Sequence, residues 1–200
     1  MKKCFIIGAG EFEPLRGMSF ENAFIACADG GADNAKKLLL TPDVVIGDND
    51  SVCCNYENKI TYPTKKDETD TLLCVNYCYE KGFDDFTFLF CTGGRLDHFF
   101  ANAAILEYLA DKKCAGKIIN SKNEITFLKK GSVEFENTCK YKYFSIFSID
   151  ESAEITISGA EYNVEKFVLK RSLPIAVSNS VVKKAKIITK NKILIVRSSD

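Results

Sequence analysis

Tryptophan is absent from this 200-residue chain, and histidine occurs once, at His98. With a single imidazole available, Cys74 and Cys78 lack the partners of a zinc site. An excess of either charge sign is lacking too, because 27 Lys and Arg balance 27 Asp and Glu. Binders of nucleic acid or anionic membranes need a cationic surplus to displace counterions, so neither nucleic acid nor membrane is expected as a partner. No run approaches the roughly 20 apolar residues of a bilayer span. The apolar segment behind Met1-Lys2-Lys3 stops at Gly8, short of the roughly 7–15 residues of a secretory signal. Nine cysteines, an odd number, are scattered and often sit inside apolar runs (Cys4, Cys27, Cys74, Cys91). They read as reduced core residues of a cytoplasmic protein. Also missing are a Walker Gly-x-x-x-x-Gly-Lys-Ser/Thr loop and the third glycine that would make Gly8-Ala9-Gly10 a dinucleotide fingerprint. That first loop therefore has only a weak claim on a nucleotide.

What is present is an ordinary globular composition, 46% apolar and 27% charged, on a chain long enough for a sizeable core. Over residues 1–120 two periodicities alternate. Lys3–Ile7, Ala23–Ala28, Val44–Ile46 and Phe86–Cys91 are apolar at nearly every position, as buried parallel strands are. Ala32–Leu40, Thr69–Lys81 and His98–Lys112 carry helical spacing, with Leu72, Val75 and Tyr79 expected on one face of the second and Ala101, Ile105 and Leu109 on the third. The pattern predicts a mostly parallel sheet flanked by helices.

From residue 123 to 200 the pattern changes to short, often alternating runs: Glu124–Leu128, Tyr141–Ser148, Glu154–Ser158, Phe167–Leu169, Pro174–Asn179, Ala185–Thr189 and Lys192–Val196. These predict a small antiparallel β-sandwich domain. Lys183, Lys184, Lys186, Lys190 and Lys192 read as the solvated face and protected edge of late strands. The expected whole is an α/β domain followed by an all-β domain.

Chemistry concentrates where the first strands end. Gly47-Asp48-Asn49-Asp50-Ser51 follows the third strand, and residues two apart on an extended chain point the same way. Two carboxylates so placed repel unless a cation or a proton lies between them. Lys66-Asp67-Glu68-Thr69-Asp70 precedes the second helix, with Thr69 as its N-cap. Cys91-Thr92-Gly93-Gly94-Arg95-Leu96-Asp97-His98 and Asp29-Gly30-Gly31-Ala32 repeat the strand–glycine–helix arrangement. Glycines at helix starts admit a phosphate, and Arg95 can grip its oxygens in pairs. Carboxylates gathered at the carboxyl ends of parallel strands suit a hard cation such as Mg2+ together with substrate phosphates. His98 is expected to fix its loop by hydrogen bonding.

In this order and spacing, the four motifs resemble those of the thiamine pyrophosphokinase family, and the likeness extends to Gly159, Tyr162 and the pair Ser178-Asn179. The resemblance implies transfer of the pyrophosphoryl group of ATP to the hydroxyl of thiamine, giving thiamine diphosphate and AMP, by a homodimer with its active site at the subunit interface. It implies that Asp48, Asp50, Asp70 and Asp97 surround Mg2+ and act in catalysis. Asp29, Gly30, Gly31, Asp67, Gly94, Arg95 and His98 would bind ATP and its phosphates, and Ser178 and Asn179 the thiamine. Residues 1–120 would form the nucleotide- and Mg-binding domain, and residues 123–200 the thiamine-binding and dimerisation domain. Two positions depart from the family pattern: Asn49 where an aromatic is common, and Ala176 where glycine is common. With no tryptophan, a Tyr or Phe would have to stack on the substrate. Either Asp97 or Asp70 would accept the hydroxyl proton. A Mg-dependent nucleotide-sugar transferase accounts for Asp48 and Asp50 but not for the Lys66–Asp70 motif. A non-catalytic sensor of thiamine or nucleotide would be expected to have lost an acidic motif.

Overall fold

Cys4, Phe5, Ile6 and Ile7 are all buried, which leaves the first strand, β1 (Lys3–Ile7), no face for water. Such a strand belongs inside a parallel sheet covered on both sides. β1 lies between β2 (Phe24–Ala28) and β5 (Asp85–Leu89) and runs parallel to both. β3 (Val44–Gly47) and β4 (Lys59–Thr61) extend the sheet beyond β2, and β6 (Ala115–Ile119) extends it beyond β5. This computed structural model describes residues 1–15, 17–48, 58–63, 67–138 and 140–200. It divides into two compact units, Met1–Ser121 and Lys122–Asp200. Among the described residues the sheet of the first unit has the order β6-β5-β1-β2-β3-β4.

That order determines where a ligand can enter. From β1 the chain steps through β2, β3 and β4 in one direction, then returns to the other side of β1 for β5 and β6. The connections leaving the neighbours β1 and β5 diverge, and a crevice opens between them at the carboxyl ends of the strands.

Both faces of the sheet are covered. Helix α1 (Gly31–Lys37) packs Ala32 and Ala35 against the Phe5, Ile7, Ile25 and Cys27 side. Helix α2 (Asp70–Glu80) lies against the opposite side, where Cys78 Sγ comes 3.3 Å from Cys4 Sγ. The cap of α2 is the expected one, with Thr69 Oγ1 accepting from the Leu72 N–H at 3.2 Å. Its buried stripe is Leu73, Cys74, Val75 and Cys78, whereas Tyr79 is exposed. Thiols are small enough to let the helix sit close on the sheet, and the tyrosine hydroxyl stays in water. Helix α3 (Leu96–Asp111) buries Ile105, Leu106 and Leu109.

In the second unit strands alternate. β10 (Ser152–Ala160) buries Ala153, Ile155 and Ile157 and keeps the residues between them partly open. One antiparallel layer is β7 (Asn123–Leu128), β13 (Ile193–Ser198) and β9 (Tyr143–Ser148). The other is β8 (Gly131–Glu136), β12 (Asn179–Thr189), β10 and β11 (Val164–Lys170). β12 belongs to both layers: Asn179 and Ser180 pair with β9 before the strand crosses to β8 and β10. Phe144, Ile146, Ile155, Ile157, Ile187 and Ile195 fill the space enclosed. The architecture is the expected α/β unit followed by an antiparallel β unit.

Details differ from the sequence expectation. Pro174–Asn179 is irregular up to its last residue, because Pro174 has no N–H to donate and Ser178 takes φ 58°. The strand count is made up by β8, whose Val133 and Phe135 are too few apolar residues to signal a strand. β4 has three residues, and β6 is interrupted by Gly116 and Lys117, so neither stands out in the sequence. The late lysines do line a solvated face, where Lys184 and Lys186 bracket Glu134 at 2.5 and 3.3 Å. The strand β12 that carries Lys183, Lys184 and Lys186 lies between β8 and β10, so it is an interior strand and not an edge.

Candidate functional site

A cavity of about 380 Å3 occupies the divergence between β1 and β5. Its walls are the loops that follow those strands, Gly8–Glu11 and Phe90–Arg95, with Thr71, His98 and Asn102 completing it. The two loops are tied together by Gly8 N–H to the Leu89 carbonyl and Gly10 N–H to the Phe90 carbonyl, each at 2.9 Å. Each is also held from behind. Asn34 on α1, 3% exposed, donates its amide to the carbonyls of Gly8 at 3.0 Å and Gly10 at 2.8 Å. Asn102 on α3 donates to the Cys91 carbonyl at 3.0 Å. Neither asparagine was singled out from the sequence; the available signal was a polar amide inside the buried stripe of a helix. Gly8-Ala9-Gly10, given a weak claim above, forms one wall, because strand order places it opposite Gly93-Gly94. Cys91 also lines the cavity, but burial pushes its thiol up to about 12, so it is not a nucleophile at neutral pH.

Of the residues expected to bind nucleotide, Gly94, Arg95 and His98 line this cavity. Arg95 is engaged in an ion pair with Asp97, Nε to Oδ1 at 3.1 Å and Nη2 to Oδ2 at 2.5 Å. The Arg95 hydrogen bonds hold the Asp97 carboxyl below its usual range. His98 is exposed, and its backbone N–H donates to Asp97 Oδ1 at 2.9 Å.

A second cluster forms at the ends of β2 and β3. Asp29 follows β2 with φ 45°, a left-handed conformation uncommon outside glycine, and its Oδ1 is buried with no hydrogen-bond partner among the described residues. It presses on Gly47, where a Cβ would come 2.8 Å from the Asp29 Cβ. Asp48 is the next residue after Gly47. Gly30 and Gly31 open α1, and Gly31 is buried. Asp70 begins α2 with its Oδ1 buried, while Asp67 is exposed in the turn before it. Asp50, with Asn49, Ser51 and Lys66, lies outside the described residues. Among the described residues no three His, Cys, Asp or Glu side chains stand close enough together to hold a metal ion.

The β unit has its own cavity, about 470 Å3 and mainly apolar. Phe144, Ile155 and Ile157 contribute core side chains, and Tyr162, Phe167 and the irregular stretch Ile175–Asn179 contribute its rim. Ser178 and Asn179 both border it, as does Ala176. The Ser178 N–H donates to Ser145 Oγ at 3.0 Å.

Fold and site together define a protein of two units, each with a small-molecule cavity: glycine-walled at a parallel-sheet switch point in one, apolar within antiparallel layers in the other. Residues 17–118 match the family described as thiamin pyrophosphokinase, catalytic domain, and residues 130–194 match the thiamin pyrophosphokinase vitamin B1 binding domain. The chain belongs to the thiamin pyrophosphokinase family of transferases. It is 24% identical over 194 residues to the thiamine pyrophosphokinase of Bacillus subtilis (strain 168), covering 91% of each chain. The crystal structure of thiamine pyrophosphokinase from Bacillus subtilis superposes with a TM-score of 0.91 at 22% identity over the whole of both chains. That of thiamin pyrophosphokinase from Geobacillus thermodenitrificans gives 0.87 at 24% identity, covering 98% of this chain and 97% of the other.

Proposed function

We propose that the protein transfers the pyrophosphoryl group of ATP to the hydroxyl of thiamine, producing thiamine diphosphate and AMP, and does so as a homodimer. The observation that carries this reading is the presence of two cavities of different chemistry in a chain of this family. The glycine-walled cavity beside Arg95 suits a polyphosphate, and the apolar cavity bordered by Ser178 and Asn179 suits a flat heterocycle. Residues 1–120 would then serve ATP, and residues 123–200 thiamine and the dimer.

In this reading the thiamine hydroxyl oxygen attacks the β-phosphorus. The bond from that phosphorus to the bridging oxygen breaks, and AMP leaves with the oxygen. Such transfers depend on positioning and charge neutralisation more than on covalent help from the protein. Gly30, Gly31, Gly94, Arg95 and His98 would hold the triphosphate, and Asp29 and Asp67 would lie in the same cleft. Arg95 must exchange Asp97 for phosphate oxygens when ATP binds, a like-for-like replacement of one bidentate anion by another. Either Asp97, once released by Arg95, or Asp70 would accept the hydroxyl proton.

The donor set fits a hard divalent cation. All candidate ligands are carboxylates, and the buried Asp29 Oδ1 beside Gly47-Asp48 faces no hydrogen-bond donor among the described residues. Asp48, Asp50, Asp70 and Asp97 would hold Mg2+, which when bound neutralises charge on the phosphates.

The test is incubation with ATP, Mg2+ and thiamine, with products separated by ion exchange. Thiamine diphosphate and AMP in equal amounts, abolished by EDTA, are expected. ADP with thiamine monophosphate, or thiamine binding without turnover, would overturn the proposal.

A further inference from the structure

We infer that Tyr108, Asn76 and Glu68 form a brace that sets helix α2 against helix α3, and that Asn76 is a positioning residue for the acidic turn at residues 67–70. This rests on the reading of the glycine-walled cavity as the ATP site.

Both helices contribute to that cavity. Thr71, in the first turn of α2, lines it, and so do Arg95 and His98 at the start of α3. The width of the cleft and the reach of Asp70 therefore depend on how the two helices sit against each other. The Thr69 cap ties the turn to α2 alone.

The tie to α3 runs through one amide. The Tyr108 hydroxyl donates to Asn76 Oδ1 at 2.6 Å, and Asn76 Nδ2 donates to Glu68 Oε1 at 3.0 Å. Asn76 and Tyr108 are half-buried, and Glu68 is exposed. The sense of this chain is set by its charged end. A carboxylate only accepts, so the amide turns its nitrogen to Glu68 and its oxygen to Tyr108, and the phenol must donate. Lys112 closes the same seam, with its ammonium 4.8 Å from the Tyr108 ring centre and 4.3 Å from that of Tyr79 on α2.

Glu68 stands between Asp67 and Asp70 in sequence and would pass for one more carboxylate of the acidic motif. The structure uses it differently. Its side chain turns back along α2 to a residue eight positions on. Through Asn76 it fastens the turn to the helix that carries Asp97.

The experiment combines steady-state kinetics on the full chain with the shift in unfolding midpoint that Mg2+ and ATP produce without thiamine. N76A is expected to lower kcat/KM for ATP about ten-fold and to shrink the ATP-induced shift, with the KM for thiamine little changed. E68A should do the same, and the E68A/N76A double variant should be no worse than the poorer single variant. E68Q keeps an oxygen to accept from the Asn76 amide and should restore most of the loss. Where N76A folds poorly, Y108F cuts the brace at its other end and keeps the ring beside Lys112; the same loss is expected in smaller measure. If E68Q fails as badly as E68A while N76A stays active, Glu68 touches the ligand itself and the brace is overturned. Additive losses overturn action through a single chain of bonds. A lowered midpoint with wild-type kinetics and a wild-type ATP shift leaves only a structural role and overturns the positioning. An ATP-induced shift absent from the wild-type protein would instead overturn the reading of the cavity, and the positioning role with it.

Discussion

Asn34 Nδ2 lies 2.8 Å from the carbonyl oxygen of Gly10, so helix α1 fixes the turn after β1 from behind the cavity that the turn lines. The same amide nitrogen reaches Gly8 at 3.0 Å, and one buried side chain therefore satisfies two carbonyls of a loop that has no regular structure of its own. Asn34→Leu removes both bonds and leaves those carbonyls facing an apolar group. Destabilisation of about 1–3 kcal/mol is expected, read as a lowered midpoint in denaturant unfolding. A raised KM for ATP should accompany it in the variant that remains folded.

Asp97 should titrate below its ordinary value of 3.8, because Arg95 hydrogen-bonds its charged form. The depressed value means that the pairing persists above the ordinary carboxylate range and is lost only as pH falls through the lowered midpoint. Carboxyl titration followed by NMR should show that midpoint, and Arg95→Met should return it toward 3.8. Added salt should shift it the same way, since both side chains are exposed. An Asp97 midpoint unaffected by Arg95→Met would contradict the pairing.

Gly47→Ala places a methyl group 2.8 Å from the Asp29 Cβ and 3.0 Å from its Cα. The ends of β2 and β3 must separate, at a cost of about 1–3 kcal/mol. Because Asp29 and Asp48 flank the contact, turnover is expected to fall more than ten-fold even at temperatures where circular dichroism shows the variant fully folded. Turnover close to wild type would mean that the spacing of these two carboxylates is immaterial.

Asp48→Asn keeps size and shape and removes one negative charge. Turnover should drop by two orders of magnitude or more, with the unfolding midpoint unchanged or slightly raised. Raising Mg2+ should recover part of the activity, because the loss falls on affinity for the cation. A variant with normal turnover at low Mg2+ would remove Asp48 from the metal set.

Much of the frame was legible. β1 was read residue for residue because four buried apolar positions in a row leave no other reading, and Thr69 announced the start of α2 through its hydroxyl. Strands with weak apolar content were not legible: β8 offers only Val133 and Phe135, and β6 is broken by Gly116 and Lys117. The position of Tyr79 was missed because apolar character and burial part company when a side chain carries a hydroxyl and smaller thiols compete for the interface. For the candidate site, the motifs located the loops but not their grouping. Gly8-Ala9-Gly10 fails every phosphate-loop pattern and still faces Gly93-Gly94, because β1 and β5 are neighbours and their outgoing connections diverge. Strand order is a long-range property that no local spacing encodes. Asn179 illustrates the converse: the sequence singles it out, while its hydrogen bonds assign it to the Tyr162 turn.

All six described cysteines, Cys4, Cys27, Cys74, Cys78, Cys91 and Cys114, are free and lie in the first unit, and only Cys114 is not buried. Burial pushes the Cys27 thiol up to about 12 and raises Cys74 as well, so these sulfurs react only when the structure around them opens. The protein thus carries an intrinsic clock for sub-global opening. Under a thiol-specific reagent, Cys114 should label before the other five of these six, which follow at rates set by how often the parallel sheet breathes. Repeating the labelling with ATP present would show how far nucleotide damps that breathing, strand by strand, with no probe introduced into the chain.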